Sequence, residues 1–153
     1  MLKPYIKYAI YLLEKRDYSE KELFDKITTK YTENEAAEAV ANCVAKGYVN
    51  DRKYSERIIE KYFARYGKRR VSEELYKRGI DRELSQELIE NAYSIEDESE
   101  KIENLIFQKL KGTLPSDKKE YDKVFAFLAR KGYSSDEINH AYSEYKEKYR
   151  NNN

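Results

Sequence analysis

The sequence predicts an all-α protein of about nine helices, arranged as tandem three-helix repeats in an elongated, curved array. Three observations carry that prediction. Apolar residues recur at helical spacing between nearly all turn signals, and alternating strand patterns bounded by turns are missing. Helix-start and helix-stop signals recur along the chain. With only 5 Gly and 2 Pro but 16 Tyr and 5 Phe in 153 residues, the chain carries few breakers and much large side-chain surface to bury, so disorder is not expected despite 39% charged residues.

The elements follow in order. A first helix spans residues 4–15. Ser19 with Glu22 and Thr32 with Glu35 fit the capping box, in which each side chain satisfies a backbone N–H of the other residue; they open helices 19–30 and 33–46. Gly47 closes the latter, and helices 51–66 and 68–78 are separated by a stop at Gly67. Gly79 and the N-cap Asp81 lead into 82–93, and a helix over 97–111 ends at Gly112. Ser116 is the expected N-cap of 117–131, Gly132 its stop, and Ser134 with Glu137 opens 135–149.

A coarser repeat lies over these elements. Leu75-Tyr76-Lys77-Arg78-Gly79-Ile80 is similar to Leu128-Ala129-Arg130-Lys131-Gly132-Tyr133, and Ile27 to Lys30 stands in the equivalent early place. Ile27, Leu75 and Leu128 are spaced by about 50 residues, the length of a three-helix unit. The expected domains are therefore residues 1–50, 51–95 and 96–153.

Catalysis and metal binding find no support in the residues. One Cys and one His cannot build a thiolate or imidazole metal site within one chain. Cys43 lies among Ala37, Val40 and Val44 at core spacing, and His140 is offset from the apolar row Ile138, Tyr142, Tyr145 and Tyr149. Gly67-Lys68-Arg69-Arg70 lacks the spacing of a phosphate loop. No enzyme, cofactor or metal is expected. The apolar runs Tyr8 to Leu13 and Val124 to Ala129 fall far short of the roughly 20 residues of a membrane span, and no cleavage site follows the first, so a cytoplasmic protein is expected.

The charge says more when resolved along the chain. The net value of +1 conceals 10 basic and 5 acidic residues over 51–80 beside 2 basic and 9 acidic over 81–104. Within the basic block, Lys53, Arg57, Lys61 and Arg65 are four apart and form one helical row, beside the apolar row Tyr54, Ile58, Tyr62 and Tyr66. Lys68, Arg69 and Arg70 open the following helix, and Lys77 and Arg78 close it. These nine cations are the candidate contacts for DNA phosphates or an acidic protein face; a solvated helix surface is the alternative. Tyr48, Tyr54, Tyr62, Tyr66, Tyr93, Tyr121 and Tyr142 stand mostly at core spacing or beside helix ends. The acidic stretch Ile95 to Glu103, with Glu96, Asp97, Glu98 and Glu100, reads partly as linker and partly as charge favoured at a helix N-terminus.

The run Gly47-Tyr48-Val49-Asn50-Asp51-Arg52-Lys53-Tyr54-Ser55-Glu56, with Gly67-Lys68-Arg69-Arg70-Val71 and Glu74-Leu75-Tyr76-Lys77-Arg78-Gly79-Ile80, closely resembles the signature of the RecX family of bacterial recombination regulators. Ala9 to Leu13 with Arg16, Ser19, Glu22 and Leu23 looks like that family's first repeat, and Leu128, Arg130, Lys131, Gly132, Tyr133 and Ile138 look like its third. The resemblance implies a regulator whose partner is the RecA nucleoprotein filament on single-stranded DNA; a monomer is expected separately, because exposed patches are few. It further implies modulation, mainly inhibition, of the filament's ATPase, strand-exchange and coprotease activities. Weak direct contact with DNA is a secondary expectation. Two alternatives from other classes are a stand-alone single-stranded nucleic-acid-binding module and a structural adaptor.

Overall fold

The computed structural model describes residues 1–151, the side chains of residues 95–97 excepted. Among the described residues there are nine helices and no strands: α1 (Pro4–Lys15), α2 (Glu20–Ile27), α3 (Glu33–Ala45), α4 (Asp51–Phe63), α5 (Lys68–Lys77), α6 (Arg82–Ala92), α7 (Ile95–Leu110), α8 (Lys118–Arg130) and α9 (Ser135–Tyr149). The three anticipated capping boxes all form, at Ser19, Thr32 and Ser134. Asp81 also caps as expected, accepting a 3.2 Å bond from the Leu84 N–H.

Two local expectations are corrected. Asp117, not Ser116, is the N-cap of α8: its carboxylate accepts from the Glu120 N–H, while Ser116 turns its own N–H to the Glu120 side chain. Helix α4 ends at Phe63, and the 51–66 helix of the sequence reading ends in a turn through Arg65 and Tyr66, whose N–H groups both reach the Tyr62 carbonyl.

The chain forms two compact units. The first comprises Met1–Ile58 and Glu74–Leu88; the second comprises Ile59–Glu73 and the chain from Ile89 onward. Helices α4, α5 and α6 each contribute one segment to either unit. The core of unit 1 is built where α1, α2 and α3 pack together: Ile6, Ala9, Leu12, Leu23, Ile27, Ala36, Ala39, Val40, Cys43 and Val49 are all buried. Full burial of each Leu or Ile stabilises by roughly 1.5–3 kcal/mol, which is what recruits the short α2 despite its marginal intrinsic helicity. Cys43 is a packed small hydrophobe, and burial pushes its thiol up against the weaker opposing pull of Lys46.

In unit 2, α7 lies against α9 and the core is Ile102, Ile106, Leu110, Leu128, Tyr133, Ile138, Ala141 and Tyr145. The Tyr145 hydroxyl escapes an unpaired burial by donating to the Thr113 carbonyl at 2.7 Å. Gly67 has a role different from the helix stop expected of it. Its backbone is not left-handed; its N–H donates to the Lys131 carbonyl at 2.8 Å, and a Cβ there would lie 2.5 Å from the Gly132 carbonyl oxygen. Gly132, at φ 98°, meets the Arg70 backbone just as closely. The pair lets the start of α5 and the α8–α9 turn touch main chain to main chain.

Candidate interaction surface

The nine candidate cations divide between the units and between two kinds of environment. Asn50 starts α4 by accepting from the Lys53 N–H, and Tyr54, Ile58 and Ile59 bury the inner face of the helix, which leaves Lys53, Arg57 and Lys61 outward. Lys53 and Lys61 are exposed and form no ion pair among the described residues; Arg65 is likewise exposed and unpaired, in the turn after α4. Arg57 is committed: its Nη1 donates to Asp17 Oδ2 at 2.6 Å in unit 1.

Lys68, Arg69 and Arg70 begin α5 in unit 2. Arg69 donates to the Ala129 carbonyl and stands 3.9 Å from Glu73 on its own helix. Arg70 lies over the Tyr66 ring, 4.9 Å from its centroid, and Lys131 covers the same ring at 5.4 Å. Lys77 is exposed and forms no ion pair among the described residues.

Arg78 is an internal strut. Its Nε donates to Glu74 at 2.9 Å and its Nη1 to the Tyr54 hydroxyl at 2.6 Å. The Tyr54 hydroxyl in turn donates to Glu22 at 2.7 Å, where the Ser19 N–H and Arg16 also converge. Burial works against the charge of Arg78, yet the bonds to Tyr54 and Glu74 outweigh it and raise its pKa. Burial likewise pushes Glu22 up, but the Ser19 N–H, Tyr54 and Arg16 together hold its carboxyl below the ordinary value. This relay borders a surface groove of ≈ 390 Å³ in unit 1.

Spacing marked Arg78 as basic but could not reveal that bond network, since Tyr54 and Glu22 stand 24 and 56 residues away in the chain. A second polar cluster was missed altogether. The Lys101 ammonium donates to the Phe63 carbonyl and sits over three rings, Phe63 at 4.0 Å, Tyr93 at 4.6 Å and Tyr133 at 5.9 Å. It lies 2.6 Å from Glu98, which is 2% exposed. Desolvation raises the Glu98 pKa, outweighing the hydrogen bond and charge of Lys101 that pull it down. Glu98 is thus a buried side chain on helix α7, not part of a solvated linker; the side chains of Glu96 and Asp97 lie outside the described residues. Tyr54 and Tyr93 are buried as their spacing suggested, whereas Tyr48 is exposed. His140 is exposed. No group of three or more His, Cys, Asp or Glu side chains among the described residues could hold a metal ion, and no helix is long and apolar enough to cross a membrane.

Family profiles match the chain three times: the RecX first three-helix domain over residues 6–43, the second over 50–90 and the third over 96–142. The regulatory protein RecX of Vibrio campbellii is 32% identical over 137 residues, covering 88% of this chain and 87% of that one. The chain belongs to the RecX family. RecX of Vibrio vulnificus is similar at 31% identity over 138 residues, with 89% of each chain covered. The crystal structure of RecX from Lactobacillus salivarius superposes with a TM-score of 0.82 at 22% identity, covering 93% of this chain and 94% of that chain, and so shares the fold. All nine candidate cations fall within the stretch matched by the second RecX domain.

Proposed function

We propose that this RecX-family chain regulates the RecA filament on single-stranded DNA, chiefly by inhibition, acting on its ATPase, strand-exchange and coprotease activities in the cytoplasm and performing no catalysis of its own. The observation that carries the reading is the match of all three RecX domains, together with relatives named as regulatory proteins over nearly their whole length. Charge supports it in a specific way. Among the described residues, Lys53, Lys61, Arg65, Arg70 and Lys77 form no ion pair with a carboxylate, while Arg57 and Arg78 are held by Asp17 and Glu74. A near-neutral molecule with a limited set of free cations suits a target of DNA already coated by protein, since wholesale phosphate neutralisation requires a larger positive excess.

The test is the DNA-dependent ATPase of RecA with this protein added below equimolar ratio. The wild-type chain should depress the rate, and the combined Lys53→Glu, Lys61→Glu and Arg65→Glu variant should need on the order of tenfold more protein for the same depression, with helicity unchanged. Equal potency of variant and parent removes these cations from the reading; no effect of the parent at equimolar protein removes the RecA assignment itself.

A further inference from the structure

A second surface, in the first repeat and outside the nine candidate cations, combines exposed rings with unpaired charge. On α1, helical periodicity places Lys7, Tyr8, Tyr11 and Lys15 along one stripe, opposite the buried Ile6 and Ala9. Tyr8 is half-buried and packs in part against the core of unit 1, while Tyr11 is 53% exposed. The two rings lie nearly parallel, at an interplanar angle of 17° with centroids 6.5 Å apart. Tyr31, from the α2–α3 turn, buttresses Tyr8 at 5.8 Å.

The charges around these rings are uncommitted. Lys15 lies over Tyr11 at 5.1 Å and Lys30 over Tyr8 at 4.7 Å. Lys7, Lys15 and Lys30 make no ion pair among the described residues, whereas the neighbouring Lys3 and Arg16 are neutralised by Glu38 and Glu22. Lysine stems lying over tyrosines can serve solubility alone. Magnitudes favour exchange with a ligand, however. An exposed cation–π contact contributes about 0.5–1 kcal/mol, and stacking a nucleobase on an aromatic ring about 1–3 kcal/mol, so a base displaces the ammonium and frees it for a phosphate.

We propose that the Lys7–Tyr8–Tyr11–Lys15 face of α1, completed by Lys30, is a stacking site for successive bases of an unpaired nucleic-acid strand. The ring separation of 6.5 Å is roughly twice the about 3.4 Å rise per nucleotide of duplex DNA, which suits bases drawn apart rather than a stacked helix. Three free ammonium groups beside two rings supply the phosphate contacts that hold such a strand in place. The site is independent of the RecA reading, since it makes no use of the α4 and α5 cations.

The experiment measures fluorescence anisotropy of a labelled oligothymidylate about twenty nucleotides long with the full chain, without RecA, from about 20 mM to about 200 mM salt. Binding should weaken with salt. Tyr11→Ala should weaken it by about 5- to 100-fold, Tyr11→Phe should keep it, and Lys15→Glu should lower both affinity and salt slope. Tyr11 is exposed enough for its replacement to leave the fold intact, which circular dichroism checks. No binding at the lowest salt overturns the proposal, as does wild-type affinity in both Tyr11→Ala and Lys15→Glu, or equal affinity for a duplex of the same length. Failure to bind the oligonucleotide together with loss of RecA inhibition in Tyr11→Ala makes the face a protein-docking surface, and that too overturns it.

Discussion

Each compact unit contains one polar cluster that ties a segment of the second repeat to its own neighbours, and the two clusters solve the task by opposite chemistry. In unit 1, Glu74, Arg78, Tyr54, Glu22, Arg16 and the Ser19 N–H form a chain of directed hydrogen bonds at the edge of a groove, so that every charge meets a donor or acceptor. In unit 2, Lys101 is enclosed by Phe63, Tyr93 and Tyr133, and its counter-ion Glu98 is buried with both oxygens short of aligned partners. The first cluster is stable through geometry in a partly wet site. The second depends on Coulombic attraction that must offset a desolvation cost, which makes it sensitive to the loss of either charge.

The largest effect should come from breaking the buried pair on one side. Lys101→Met keeps most of the stem against the rings but leaves Glu98 uncompensated, and this should destabilise the protein by about 3 kcal/mol near neutral pH. That figure is at the low end for a buried pair because the carboxyl can escape by taking up a proton. Adding Glu98→Gln should recover most of the loss, and urea denaturation of the two single variants and the double variant measures the coupling. Equal losses in Lys101→Met with and without Glu98→Gln would show that the rings, and not the ion pair, hold the cluster.

Next in size is the main-chain contact beside that cluster. Gly132→Ala combines a left-handed backbone with a Cβ driven against the Arg70 backbone, and about 2–3 kcal/mol of destabilisation is expected. Gly67→Ala should cost a similar amount for the second reason alone. Gly47→Ala is the control: its backbone is also left-handed, but no atom lies within 4 Å of the added Cβ, so it should cost only about 1 kcal/mol. Equal losses at Gly47 and Gly132 in thermal melts would assign the effect to backbone conformation and not to close approach.

These clusters mark where sequence reading stops. Helix positions were legible because capping boxes and apolar periodicity are local, and Ser19, Thr32 and Ser134 need only three following residues to act. The basic block was legible as composition, yet its division into free and committed cations was not. Arg57 is held by Asp17, 40 residues earlier, and Arg78 by a tyrosine whose spacing marked it only as core. Glu98 and Lys101 are three apart and look like a solvated helix pair; their burial comes from rings 32 to 38 residues away from Lys101 and from Tyr93. Gly67 resembles any helix-stop glycine until the α8–α9 turn is placed against it.

The smallest effect, and the one that separates the two clusters most cleanly, is in the pH dependence of stability. Glu22 is held below its ordinary value of 4.5, so its contribution is present above that pH and is lost as the pH falls through the folded-state value. Glu98 is raised above 4.5, so its contribution is present below that pH and is lost as the pH rises through the folded-state value. The Glu22 cluster therefore weakens on the acid side of 4.5, and the Glu98 cluster weakens above it. Other carboxylates contribute as well, Asp51 and Glu20 being raised chiefly by burial, so the comparison is made by difference between variants. Denaturant midpoints followed across this range should show the fall on the acid side flattened in Glu22→Gln, where the amide can still serve the capping box, and the fall above 4.5 flattened in Glu98→Gln. If Glu98→Gln instead flattened the acid side, Glu98 would be a carboxylate stabilised by Lys101, and the contrast between a satisfied cluster and a desolvated one would fail.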